Sequence, residues 1–160
     1  MSTNAFANAG ARILRNRRLM RAPIWLYKAR LGALLTSGLL MLEHIGRKSG
    51  ARRYVVLEVV GHPTPDSYAV VAGFGSAAQW YRNVQANPHV RVYAGSRKPA
   101  PATARTMDQD EADRTMAAYR AKYPRLWEQF MPILEEVSGE AIGDTDFPLP
   151  VVELRLDPRA

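Results

Sequence analysis

The sequence predicts an α+β protein built on a small β-barrel of about six strands with flanking helices. Three observations carry this. Apolar runs of five to eight residues recur between clusters of Gly, Pro, Asp and Ser; a helical pattern falls between the third and fourth runs; and two more helical stretches precede the last run. Strands interrupted in this way suit a small barrel better than an open parallel sheet, which needs a helix after every strand. At 160 residues and 47% hydrophobic, the chain suffices for one core, so we expect a basic arm over 1–23 followed by one domain over 24–160.

Residues 1–10 are small and polar and are expected to be disordered. Arg12 to Arg21 reads as a basic helix, interleaving Ile13 and Leu14 with Arg17, Arg18 and Arg21 and ending near Pro23. Ile24 to Leu42 is apolar, but Lys28 and Arg30 interrupt it, so no membrane-spanning run is expected, and no small-residue cleavage site marks a signal peptide. This leader admits two readings: a helix docked on the barrel with its arginines in water, or an interfacial helix on anionic lipid at the inner face of the cell membrane. The first strand is expected over Leu39–Ile45, the second over Arg53–Val60 and the third over Tyr68–Ala72, after the turn Gly61-His62-Pro63-Thr64-Pro65-Asp66. Ser76 and Gln79 have capping-box spacing and predict a helix start. Val90–Ala94 and Ala100–Met107 form the next two strands around Gly95-Ser96-Arg97-Lys98. Asp108 and Glu111 form a second capping box, opening a helix with Ala112, Thr115, Met116, Tyr119 and Tyr123 on one face. Pro124 ends it and starts another carrying Leu126, Trp127, Phe130, Ile133, Leu134 and Val137, which Pro132 is expected to split. A surface loop over Ser138–Pro148, placed to fold over a pocket, leads into a last strand over Val151–Leu156.

Composition narrows the chemistry. With no cysteine there is no disulfide, thiolate metal site or cysteine nucleophile, and a cytoplasmic setting is permitted. His44, His62 and His89 are scattered, so no metal is expected, and no nucleophile elbow or paired-carboxylate motif occurs. Any enzymatic chemistry therefore comes from an organic cofactor, with the protein supplying position and electrostatics. The net charge of +7 is uneven: Met1 to Arg53 carries +10 and the remainder −3, which marks a face for an anion. No recognition helix, zinc motif or aromatic sheet supports a nucleic-acid partner.

The anion has a candidate place in a basic loop, which reads equally as a solvated hairpin turn whose cations keep a sheet edge soluble. In Gly46-Arg47-Lys48-Ser49-Gly50, two glycines allow a sharp turn, while Arg47, Lys48, Arg52 and Arg53 put four cations within seven residues. A second site lies where the third strand ends in Gly73-Phe74-Gly75 and a helix begins, leaving backbone N–H groups free for an anion or a ring carbonyl. The P-loop pattern fails, because Arg47 and Met41 stand where it requires Lys and Gly.

Gly46-Arg47-Lys48-Ser49-Gly50 with Arg53, then Val70-Val71-Ala72-Gly73-Phe74-Gly75, Trp80-Tyr81-Arg82-Asn83 and Asn87-Pro88-His89-Val90 together resemble the deazaflavin-dependent nitroreductase family. The resemblance implies a split β-barrel like that of the FMN-binding oxidoreductases. It also implies coenzyme F-420, whose phosphate and oligoglutamate tail suit the basic loop. By resemblance, Arg47, Lys48, Ser49 and Arg53 bind the phosphate and tail; Val55, Leu57, Ala72 and Gly73 line the deazaflavin ring; and Trp80, Tyr81 and Asn83 close the site. The implied reaction is hydride transfer to a lipophilic electrophile, a quinone, enone or nitro compound, with a proton from solvent or a nearby hydroxyl; no catalytic side chain is assigned. Compared with well-known members, the loop before Trp80 is shorter, Gly73 replaces a serine, Val56 replaces a common proline, and Leu126, Trp127 and Phe130 stand where tyrosines are found. These departures imply a more apolar pocket with weak or absent nitroimidazole reduction. Two alternatives stay open: FMN in place of the deazaflavin, and a non-catalytic lipid- or cofactor-binding protein on the same barrel.

Overall fold

A computed structural model describes residues 38–95 and 98–158. The expected basic arm, the helix over Arg12–Arg21, the leader up to residue 37 and the tip of the turn at Ser96-Arg97 lie outside the described residues. Six strands run in the order β1 (Leu39–Ile45), β2 (Arg52–Gly61), β3 (Ser67–Val71), β4 (His89–Ala94), β5 (Ala100–Thr106) and β6 (Val151–Leu156). Helix α1 (Gln79–Ala86) lies between β3 and β4, and α2 (Gln109–Lys122) and α3 (Pro124–Ser138) between β5 and β6. All neighbouring strands are antiparallel and close in the order β1-β2-β3-β6-β5-β4, so no strand edge is left unpaired.

Closure divides the apolar residues into two layers. Leu40 stands opposite Leu57 on one side and Ala94 on the other, and these pack inside the barrel with Leu42, Val70, Val92, Val152 and Leu154. Trp80, Tyr81 and Val84 of α1 join that interior. A second cluster forms outside, where Val60, Ala69 and Val151 meet Met116, Tyr119 and Trp127 of the two long helices. This explains why β2 reads as apolar on both faces: one side is barrel interior, and the other lies beneath helices. A register shift between Val59 and Gly61 bends β2 there.

Three local expectations are revised. Ser76 makes no cap: residues Gly75–Ala77 form a separate 3₁₀ turn, and α1 starts after Ala78 without a side-chain cap. Pro132 does not split α3, because Pro132 and Glu128, whose carbonyl loses its partner, both face water. The loop after α3 seals the outer cluster with Ile142, Phe147 and Leu149 rather than covering a pocket; Asp113 accepts from the amides of Asp146 and Phe147 and holds it down.

Helix α2 is fixed where it leaves the barrel. Asp108 accepts from the Glu111 amide at 2.8 Å, and Glu111 accepts from the Asp108 amide at 3.0 Å. Arg105 of β5 then bridges Glu111 and the buried Glu153 of β6 at 2.9 and 2.8 Å, holding the Glu111 carboxyl down to about 2. We expect Asp108→Ala to lower stability by about 1 kcal/mol, read as an earlier urea midpoint at unchanged m-value.

Candidate active site

The turn joining β1 to β2 is held by its own backbone. The Gly46 amide donates to the Ala51 carbonyl at 2.8 Å, the Gly50 amide donates to the Gly46 carbonyl at 2.8 Å, and Ser49 Oγ accepts from the Ala51 amide at 3.2 Å. A Cβ on Gly46 would stand 2.7 Å from Ser49 Oγ and 3.0 Å from Arg53 Nε, so these side chains would have to shift, and Gly50 has φ +69°, a conformation that favours glycine. Lys48, Ser49 and Arg53 project into solvent, and Lys48 and Arg53 have no acid partner among the described residues.

Asn83 ties this turn to α1. Its buried Oδ1 accepts from the Arg47 amide at 3.1 Å and from Arg47 Nη1 at 2.9 Å, leaving Nδ2 to donate to His44 Nδ1 at 3.1 Å. Burial and the neighbouring Arg53 guanidinium hold His44 down to about 4, so the imidazole is neutral and carries its proton on Nε2. Asn83 is thus spent on shaping the loop. Tyr81 is likewise turned inward, its hydroxyl 3.2 Å from Thr106 Oγ1.

One turn before Asn83, Trp80 lines an apolar cavity of about 150 Å³ between β2, the end of β3 and helices α2 and α3. Val55, Leu57 and Gly73 border it, together with Phe74, Trp127 and Leu134. Ala72 is fully buried in the barrel interior beside it. The sequence-predicted residues therefore form two connected groups: Arg47, Lys48, Ser49, Arg53 and Asn83 at the turn, and Val55, Leu57, Gly73 and Trp80 at the cavity. Strand β2 joins them, since Val56 is only about 10 Å along the strand from Arg53.

Sequence reasoning passed over two residues here. Glu58 and Tyr119 line this cavity and also a wider groove of about 910 Å³ bordered by His62, Arg114, Lys122 and Tyr123. Among the described residues Glu58 is the only carboxylate around the cavity, and desolvation raises it to about 7 despite an opposing contribution from Tyr119. The buried Tyr119 hydroxyl and the Glu58 carboxyl interact as hydrogen-bonding and electrostatic partners, although their geometry falls short of a well-formed bond. Desolvation, then Glu58, raises the Tyr119 hydroxyl to about 12. The available signal was a single charge inside the otherwise apolar run Tyr54–Val60.

The closed antiparallel barrel with its flanking helices is a split barrel, with an apolar cavity against its wall and uncompensated cations at one end. Residues 19–132 match the family described as F420H(2)-dependent quinone reductase, and the chain belongs to that family. It is a deazaflavin-dependent oxidoreductase whose cofactor is coenzyme F-420. Among solved structures, an F420-H2 dependent reductase, FDR-A, is 30% identical over 74% of this chain and 94% of its own, with a TM-score of 0.52. A structure described as a domain-swapped dimer is 27% identical over 82% and 96% of the two chains, with a TM-score of 0.52. General Stress Protein 26 from Bacillus anthracis shares the fold at 11% identity, covering 82% and 89%, with a TM-score of 0.51. No curated protein matches the chain significantly.

Glu58 also makes a prediction about stability. Its carboxyl titrates near 4.5 when unfolded and near 7 when folded, so between these values the folded state binds more protons and stability falls as pH rises. Glu58→Gln is expected to be more stable than the parent above pH 7, the difference fading below pH 4.5, as measured by denaturation at pH 4, 6 and 8.

Proposed function

We propose that this oxidoreductase reduces a lipophilic carbonyl-conjugated acceptor, a quinone or an enone, in the cavity between β2 and α3. The observation that carries this reading is the cavity lining: aliphatic and aromatic side chains, with Glu58 and Tyr119 as its titratable groups. Exposed Phe74, at 44%, borders it, and Tyr123 and Leu126, at 42% and 38%, border the adjoining groove, so the approach is apolar as well.

The residues fit the coenzyme. Lys48 and Arg53, unmatched by described acids, together with Ser49 and the remaining donors of Arg47, would hold its phosphate and acidic tail. Val55, Leu57 and Gly73 would border its ring, with Ala72 as backing inside the barrel and Trp80 closing one side. Asn83 acts through Arg47, and Tyr81 anchors α1. When bound, the reduced coenzyme supplies a hydride. The chain contributes a dry surface that excludes water and aligns the acceptor, which is where positional catalysis arises.

FMN lacks the oligoglutamate tail that would engage these cations, so the same turn favours the deazaflavin. We expect Lys48→Ala to weaken binding of oxidised coenzyme F-420 by roughly 1.5–3 kcal/mol, about ten- to a hundredfold, as for loss of a charged hydrogen bond. Fluorescence titration of the parent and variant with the coenzyme, and separately with FMN, checks this; tighter FMN binding would overturn the assignment. Nitroimidazoles are expected to be poor acceptors, which parallel assays with a naphthoquinone and a nitroimidazole would show.

A further inference from the structure

We propose that Glu58 is the proton donor to the acceptor's oxygen, with Tyr119 as the residue that positions it, and that the groove on the far side of this pair returns the proton from solvent. The inference rests on the function proposed above and deepens it by selecting acceptors that end reduction as an oxyanion.

Three observations carry it. Among the described residues Glu58 is the single carboxylate bordering the apolar cavity, and no described His, Lys or Arg borders it. Glu58 and Tyr119 also border the wider groove, so the two residues are shared between the apolar cavity and a groove edged by polar groups. The buried Tyr119 hydroxyl is set against the Glu58 carboxyl and interacts with it, so it is placed to orient that carboxyl.

The proton count is simple. The reacting carbon of the acceptor takes the hydride with its two electrons, its C=C π pair shifts to form a new C=C bond to the carbonyl carbon, and the C=O π pair moves onto oxygen. The O–H bond of Glu58 breaks, its proton forms the new O–H bond, and Glu58 is left as carboxylate until water from the groove reprotonates it. The two electrons come from the reduced coenzyme of the established activity. Glu58 meets the ionic requirement for this role because burial keeps much of it protonated near neutral pH. The groups facing it are Tyr119 from α2 and, across the groove, His62, Arg114, Lys122 and Tyr123; of these, Tyr119 opposes the shift.

The test uses the full chain and the variants Glu58→Gln and Tyr119→Phe. Infrared titration of the ligand-free protein should show a carboxylic-acid C=O band lost with a midpoint near pH 7, absent in Glu58→Gln and moved to higher pH in Tyr119→Phe. Single-turnover reduction of menadione should be about a hundredfold slower in Glu58→Gln at pH 6, with coenzyme affinity within twofold of the parent. The parent rate should fall above pH 7, and the variant should lack that limb. A parent band with an ordinary carboxylate midpoint would overturn the proposal. So would parent-like menadione reduction by Glu58→Gln, or loss of its coenzyme binding. If the parent itself fails to bind coenzyme F-420, the cofactor placement fails, and the infrared titration still decides whether Glu58 holds its proton.

Discussion

The side-chain amide of Asn83 joins the two ends of the site. Its oxygen takes both donors from Arg47, and its nitrogen reaches His44, so one buried group fixes the β1–β2 turn, the end of β1 and the first turns of α1. Each of its bonds exchanges a water partner for a protein one, so the net gain per bond is modest; leaving any of these polar atoms buried and unpaired would cost more. The neutral imidazole follows from the same logic. A protonated His44 would present a donor to the Asn83 NH₂ beside a guanidinium, and both burial and Arg53 oppose it. The cations of the turn are consequently held out toward solvent, where a ligand can collect them.

The second constraint is the double coverage of β2. Its alternate residues serve the barrel interior and the outer layer, so the strand cannot move without disturbing both clusters. That rigidity places Val56 and Glu58 opposite α2 and α3, while Arg105 pins the start of α2 by bridging Glu111 and Glu153. A carboxyl within this layer is unfavourable for the fold, and its neutral form limits the cost. Such a residue is more informative about function than the surrounding valines.

The strand sequence made the fold legible because each run had turn residues at both ends. Leu39–Ile45 and Val151–Leu156 appear with the expected limits, and the Asp108–Glu111 box opens α2 as read. The errors came where local signals were weak against packing. Ser76 had the right spacing for a cap, but the chain makes a 3₁₀ turn there before Trp80 and Tyr81 can reach the interior. Pro132 had the chemistry of a breaker, yet it sits on the wet side of a helix whose other side is anchored by Trp127 and Ile133. The basic turn was visible because glycine and charge carry their meaning locally. The cavity was not, since it exists only once α2 and α3 fold back across β2.

The position of Glu58 distinguishes catalysis from carriage on this barrel. A lipid-carrying cavity is best served by uninterrupted hydrocarbon, and a valine or leucine at position 58 would pack under α2 without a desolvation penalty. Instead the strand places an acid there, beside the Tyr119 hydroxyl and shared between an apolar pocket and the adjoining groove. Hydride transfer to a conjugated carbonyl generates negative charge on oxygen, and in a dry cavity that charge is poorly tolerated unless a proton or a donor meets it. The same desolvation that makes the carboxylate costly keeps its proton available. Fold stability and the demands of the reaction thus pull in opposite directions at this residue, which is the pattern expected where structure has been shaped by chemistry.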